Sequence, residues 1–191
     1  AEAKESMLFS KKTFGKSEVE RSLQLLKPDF IVHLTNAQRT DIEYLAREKV
    51  SAVCCPRANA ALSVGIPPIG KLLKEGVNVA LGTDNVMVNS PDLFREMEFA
   101  LKVTRLAPDK QRTTGLKARH VLKMTTINAA KALRLESELG SIETGKRGSM
   151  ILLDLNSNNL SDSRDITASV VNRARPDDIA SIFVDGEFCH G

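Results

Sequence analysis

The sequence predicts an α/β fold built on a short parallel sheet, followed by a small β module. Three short apolar runs, Phe30 to Leu34, Ser51 to Cys55 and Asn78 to Gly82, have the length and texture of buried strands. Segments with helical apolar spacing separate them, as crossovers between parallel strands require. After Gly140 the pattern changes to strand-like runs punctuated by turn residues. With 191 residues there is room for one real core or two small ones. A complete eight-stranded barrel, typically about 250 residues, does not fit.

The first predicted helix is KSEVERSLQLL. Ser17 can cap it, Glu20 stands where a capping box needs it, and Val19, Leu23 and Leu26 share a face. Lys27-Pro28-Asp29 ends it before the strand FIVHL. RTDIEYLAREK follows as a helix, with Thr40 or Asp41 near its start and Ile42, Leu45 and Ala46 on one face. SAVCC is the second strand, stopped by Pro56. A loop with Gly65, Pro67 and Pro68 then leads to a short helix, IGKLLKEG, closed by Gly76. NVALG is the third strand. SPDLFREMEFALKVTRL is a helix with Ser90 as cap and Pro91 in its first turn. Two further helical segments cover Thr114–Met124 and Thr126–Leu133. In the tail, GSIETGKRGSMILLDL and ASIFVDGEFCHG read as strands, with Asp185-Gly186 as a hairpin turn and a polar loop over 156–165. These textures divide the chain into an α/β body, 1–139, and a β portion, 140–191.

Composition narrows the function classes. The net charge of +3 comes from scattered lysines and arginines, aromatics are 4% and Trp is absent. A nucleic-acid surface usually shows a clustered basic face or stacking aromatics, so no nucleic-acid partner is expected. No apolar run is long enough to span a membrane. Cys54 and Cys55 are neighbours in a strand and point to opposite faces, so they cannot easily share one metal. Three cysteines read as small buried residues of a reducing, cytoplasmic setting. The chain opens on Ala1-Glu2-Ala3 without Met, which suggests a trimmed or excised piece, or an added start that was lost.

Chemistry-bearing residues are few. Active sites of parallel α/β folds lie at the C-terminal ends of the strands, and Asp84 follows the third strand there. It can bind a divalent metal and accept a proton, or it can be a turn or cap residue. His33 closes the first strand on the same rim. It can ligate metal, move a proton or polarise a substrate oxygen, or it can be a core histidine bonded to a neighbouring loop. His120 and His190 read as surface or packing residues. There is no H-x-H, H-E-x-x-H, C-x-x-C, phosphate-cradling glycine loop or G-x-S-x-G. A tight metal site needs three or four ligands, and His33 with Asp84 supplies two.

The order of these residues resembles the C-terminal half of a metal-dependent amidohydrolase, in the branch of cytosine-deaminase-like, S-adenosylhomocysteine-deaminase-like and triazine-chlorohydrolase enzymes. PRANAALSVGIPPIGKLLKEGVNVALGTDN, Pro56 to Asn85, resembles that family's P-x-S-N-x-x-L-x-x-G-x-x-P followed by L-L-x-x-G-V-x-V-x-L-G-T-D. TTINAAKALRLESELGSIETGKRGSMILLDL resembles its passage from barrel to β-sandwich, and IFVDGEF its closing strand pair. The resemblance implies the C-terminal part of a (β/α)8 TIM-type barrel plus part of a small β-sandwich. It implies that Asp84 is a metal ligand and proton acceptor. It implies that His33 orients water or the leaving group, or binds metal in binuclear members. Glu2 resembles the glutamate that carries a proton to a substrate ring nitrogen. The cofactor implied is a divalent metal, Zn²⁺ or Fe²⁺, and the substrate a small molecule. The family's other metal histidines lie outside these residues. Ala58 stands where Ser is usual, and Gly148-Ser149 where Ala-Asp is usual.

The implied reaction is hydrolysis of a non-peptide C–N bond, deamination of an aromatic or cyclic amidine by metal-activated water, with the isolated chain inactive. Hydrolysis of an amide or a chlorinated ring uses the same residues. A non-catalytic partial barrel serving as a binding or assembly module is the reading from another class. A homo-oligomer, or pairing with the missing half, is expected from the exposed sheet edge.

Overall fold

The computed structural model describes residues 2–107 and 115–190, the side chains of 2–4 and 190 excepted. Two three-stranded sheets form among these residues. In the first, β1 (Phe30–Val32), β2 (Ser51–Cys54) and β3 (Val79–Leu81) are parallel in chain order. Ile31 lies opposite Ala52, and Val53 opposite Ala80. Beyond the strands, His33 N–H donates to Val53 O at 2.8 Å and Gly82 N–H to Cys54 O at 3.0 Å. The sheet therefore carries its C-terminal rim as far as the candidate residues. All of β3 is buried, whereas Phe30 and Val32 on the edge strand β1 remain partly exposed.

The helices follow from local chemistry. α2 (Glu18–Leu26) is capped by Ser17, whose Oγ accepts Glu20 N–H at 3.0 Å. The Glu20 carboxylate accepts from Gln24 in the next turn, while Ser17 Oγ also donates to buried Asp41. Leu23 is buried and Leu26 is not, because the chain turns away at Lys27, which has a left-handed backbone. α3 (Arg39–Arg47) begins at the first residue of the segment RTDIEYLAREK. Gln38 is the cap residue, and its N–H donates to Asp41 Oδ2 at 2.8 Å. Ile42 and Leu45 from α3, and Leu72 from α5 (Ile69–Lys74), join the buried strands in one core.

α6 (Leu93–Leu106) departs from its expected start. Asp92 caps it by accepting Arg95 N–H at 3.1 Å, so Pro91 precedes the cap and is not in the first turn. α7 (Ala118–Met124) and α8 (Ile127–Ala132) fit the two later segments; Thr114 lies outside the described residues. Asn128 of α8 donates to Val79 O at 3.0 Å, and Asn78 donates to Asn128 O at 2.9 Å. This exchange pins α8 at the N-terminal end of β3.

Three helices have no counterpart in the sequence reading. α1 (Glu2–Phe14) precedes α2, α4 (Pro56–Ala61) follows β2, and α9 (Ile166–Arg173) lies inside the tail. α9 is capped by Asp165, whose Oδ1 accepts Ala168 N–H at 2.9 Å. It packs against α6 and α7, with Val171 in the main core.

The second sheet is antiparallel, in the order β4 (Met150–Leu153), β5 (Ile179–Val184), β6 (Glu187–His190). Asp185 and Gly186 both have positive φ, 54° and 86°, as a two-residue primed turn requires. Of GSIETGKRGSMILLDL only the β4 residues are strand, and the rest is turn, bend and irregular chain. Gly148 earns its place here: a Cβ on it would stand 3.0 Å from Gly186 N, which donates to Gly148 O at 3.0 Å.

Candidate active site

His33 and Asp84 sit where β1 and β3 leave the parallel sheet. Both have left-handed backbones, φ 70° and 61°, and Leu34 continues the bend at 57°. Such conformations are uncommon for non-glycine residues and mark a chain that is redirected sharply. The two side chains meet: His33 Nε2 is 3.7 Å from Asp84 Oδ2. They are 40% and 27% exposed, open enough to meet a ligand.

Each side chain also has a structural partner. His33 Nδ1 lies 3.0 Å from Oδ1 of Asn59, a buried residue of α4. Asp84 Oδ1 accepts Asn85 N–H at 2.7 Å. The turn chemistry considered for Asp84 belongs to Asn85, whose Oδ1 accepts Met87 N–H at 2.9 Å. Asp84 Oδ2 is thereby left facing His33.

The His33–Asp84 pair fits a share in a divalent cation. Zn–N and Zn–O bonds run about 2.0–2.2 Å, so two donor atoms 3.7 Å apart can serve one ion. Among the described residues no group of three or more His, Cys, Asp or Glu gathers around a metal position. Glu2 begins α1, and its side chain lies outside those described.

Behind the pair lies Glu96 of α6, wholly buried. Its Oε1 accepts Arg57 N–H at 3.0 Å in the first turn of α4, and the Arg57 guanidinium is 3.8 Å from Oε2. Oε2 has no hydrogen-bond partner among the described residues. Burial pushes the Glu96 carboxyl up to about 7, against the opposing pull of Arg57. Burial likewise pushes the Cys55 thiol up to about 12 and raises Cys54 further, so both stay protonated at neutral pH. Neither is an activated nucleophile.

Asn59 and Glu96 are absent from the candidates read in the sequence. Asn59 stands at the Asn of the P-x-S-N pattern, which was its one signal. Glu96 shares its helix face with Ala100 and lies next to Met97, and a carboxylate on an apolar face is a signal of its own.

The sequence model of the amidohydrolase family matches residues 10–189. The chain belongs to this family. A protein of Methanothermobacter thermautotrophicus named as a putative aminohydrolase is 38% identical over 98% of this amidohydrolase chain and 45% of its own length. The 5-methylthioadenosine/S-adenosylhomocysteine deaminase of Caldanaerobacter subterraneus subsp. tengcongensis is 33% identical over 98% of this chain and 44% of its own. Among solved structures, an adenosine deaminase from Xanthomonas campestris with bound zinc superposes with a TM-score of 0.88 at 26% identity, covering 96% of this chain and 42% of that one. The chain thus spans a little under half the length of these relatives. Its α/β fold is of the amidohydrolase type, and no helix among the described residues is long and apolar enough to cross a membrane.

Proposed function

We propose that this chain is the C-terminal portion of a metal-dependent deaminase, contributing the last strands of a (β/α)8 barrel and part of a β-sandwich. The substrate class is an aromatic or cyclic amidine, and the adenine-type ring in the names of the deaminase relatives is the favoured case. The observation that carries this reading is the convergence of His33 and Asp84 at the C-terminal rim, 3.7 Å apart and accessible.

Asp84 Oδ2 and His33 Nε2 would hold a divalent cation, zinc or iron(II), together with ligands from outside these residues. When bound, such an ion lowers the pKa of water to about 7 and polarises the bond under attack. Asp84 accepts the proton released from the attacking water, and His33 fixes the direction of approach. Glu2 is the proposed carrier of a proton to the ring nitrogen. Two ligands do not make a tight site, so the isolated chain is expected to be inactive.

Zinc titration by calorimetry tests this. The chain should bind zinc weakly and lose it on dialysis, and Asp84→Ala or His33→Ala should abolish the weak binding. One equivalent of zinc retained through dialysis, or binding indifferent to both substitutions, would contradict the proposal. The partly exposed Phe30 and Val32 on the edge strand favour a second reading, a partial barrel that pairs with a partner strand.

A further inference from the structure

We propose that Asn59 is a positioning residue that sets the tautomer of His33, so that His33 serves the site through the lone pair of Nε2. The inference rests on the reading that His33 belongs to that site.

The contact itself gives the polarity. Asn59 Oδ1 lies 3.0 Å from His33 Nδ1, and an amide oxygen only accepts. Nδ1 must therefore carry the proton. A neutral imidazole has one N–H, so Nε2 is left unprotonated, facing Asp84 Oδ2. In that state His33 is an acceptor or a ligand at the site and does not donate to a substrate atom. The second nitrogen of a ligating histidine is commonly held in this way.

The amide is held firmly enough to impose this choice. Asn59 N–H donates to Cys55 O at 3.0 Å and Asn59 O accepts Val64 N–H at 3.0 Å. The start of the same helix is tied to α6 through Arg57 N–H and Glu96 Oε1. The imidazole side is fixed as well, since His33 is locked into the sheet ladder by its own N–H while its left-handed backbone redirects the chain. Asn59 Nδ2, in turn, is buried and has no partner among the described residues. Buried polar atoms are seldom left so. An amide that leaves its N–H₂ unpaired while presenting its oxygen to His33 is held for that oxygen.

Long-range ¹H–¹⁵N spectra of the full 191-residue chain, without metal and at a pH where imidazoles are neutral, read the tautomer directly. His33 is assigned by the signal lost in His33→Gln. The expected result is a predominantly Nδ1–H form in the wild-type chain. Asn59→Asp, which offers acceptors only, should preserve that form. Asn59→Leu should shift the balance to the Nε2–H form that free histidine favours. A predominantly Nε2–H wild-type His33 overturns the proposal, as does a folded Asn59→Leu chain with unchanged spectra. An Asn59→Asp chain that switches tautomer also overturns it, by showing that the native amide presents its N–H₂. If Asn59→Leu does not fold, the wild-type and Asn59→Asp spectra decide. Because no metal is present, this outcome is separate from that of the zinc titration.

Discussion

Glu96→Gln should make the chain more stable in alkaline buffer and leave it unchanged in acid. Burial raises the Glu96 carboxyl from its ordinary 4.5 to about 7. The folded chain therefore holds this proton over a range in which the unfolded chain has released it. Stability falls as pH rises through that range, and the loss is complete above about 7. At about 1.4 kcal/mol per pH unit, the interval from 4.5 to about 7 corresponds to roughly 3 kcal/mol. Glutamine keeps an oxygen for Arg57 N–H and has no charge to bury. Urea unfolding followed by circular dichroism at several values between pH 5 and pH 8 measures the difference, because titrations elsewhere cancel between the two proteins. The two curves should coincide near pH 5 and separate toward pH 8, with the variant ahead by about 2–3 kcal/mol. A variant that is less stable at pH 8, or a gap that does not widen with pH, would refute the reasoning. It would show that the ion pair with Arg57 outweighs the desolvation of Glu96.

Two further substitutions test the packing. Leu45→Ala removes a side chain with no exposed surface from the core around β2, and should cost about 2–5 kcal/mol in the same urea assay; a loss below about 1 kcal/mol would mean that α3 is not packed as described. Gly140→Ala should destabilise more than Gly145→Ala in thermal melts, since both glycines have positive φ but only at Gly140 would a Cβ meet Ala130 Cβ and Ile127 Cα, each at 2.8 Å. Equal losses would remove the steric part of that argument.

What the sequence reveals and what it hides divide along physical lines. β2 and β3 were legible because burial on both faces leaves a continuous apolar run, β1 because it carries the same kind of run although Phe30 and Val32 are exposed, and Asp185-Gly186 because only certain residues accept two positive φ angles. α1 gave no periodic signal: Leu8, Phe9 and Phe14 remain exposed, and among its described side chains no apolar stripe faces a core. Pro56 reads as a stop signal, yet proline at the first helical position lacks only an N–H that would be unpaired anyway, so α4 starts there. α9 is rich in β-branched residues, ITASVVNR, and tertiary packing of Val171 overrides that preference. His33 and Asp84 stood out because strand ends are where parallel folds gather function. Asn59 and Glu96 did not, because what each side chain does depends on contacts across 26 and 39 residues of chain, which the local patterns around them do not reveal.

The outer rim of β1 makes the history of a sample matter. Phe30, Ile31 and Val32 pair with β2 on one side, and no lysine or proline within the strand discourages a newcomer on the other. Among the described residues each copy therefore carries an unfinished ladder bordered by apolar side chains, and crowding decides what completes it. Slow concentration after refolding in dilute solution keeps copies apart while their own helices settle. Rapid concentration offers the same edge to a neighbour, and the resulting aggregate would be a product of handling rather than of the native fold.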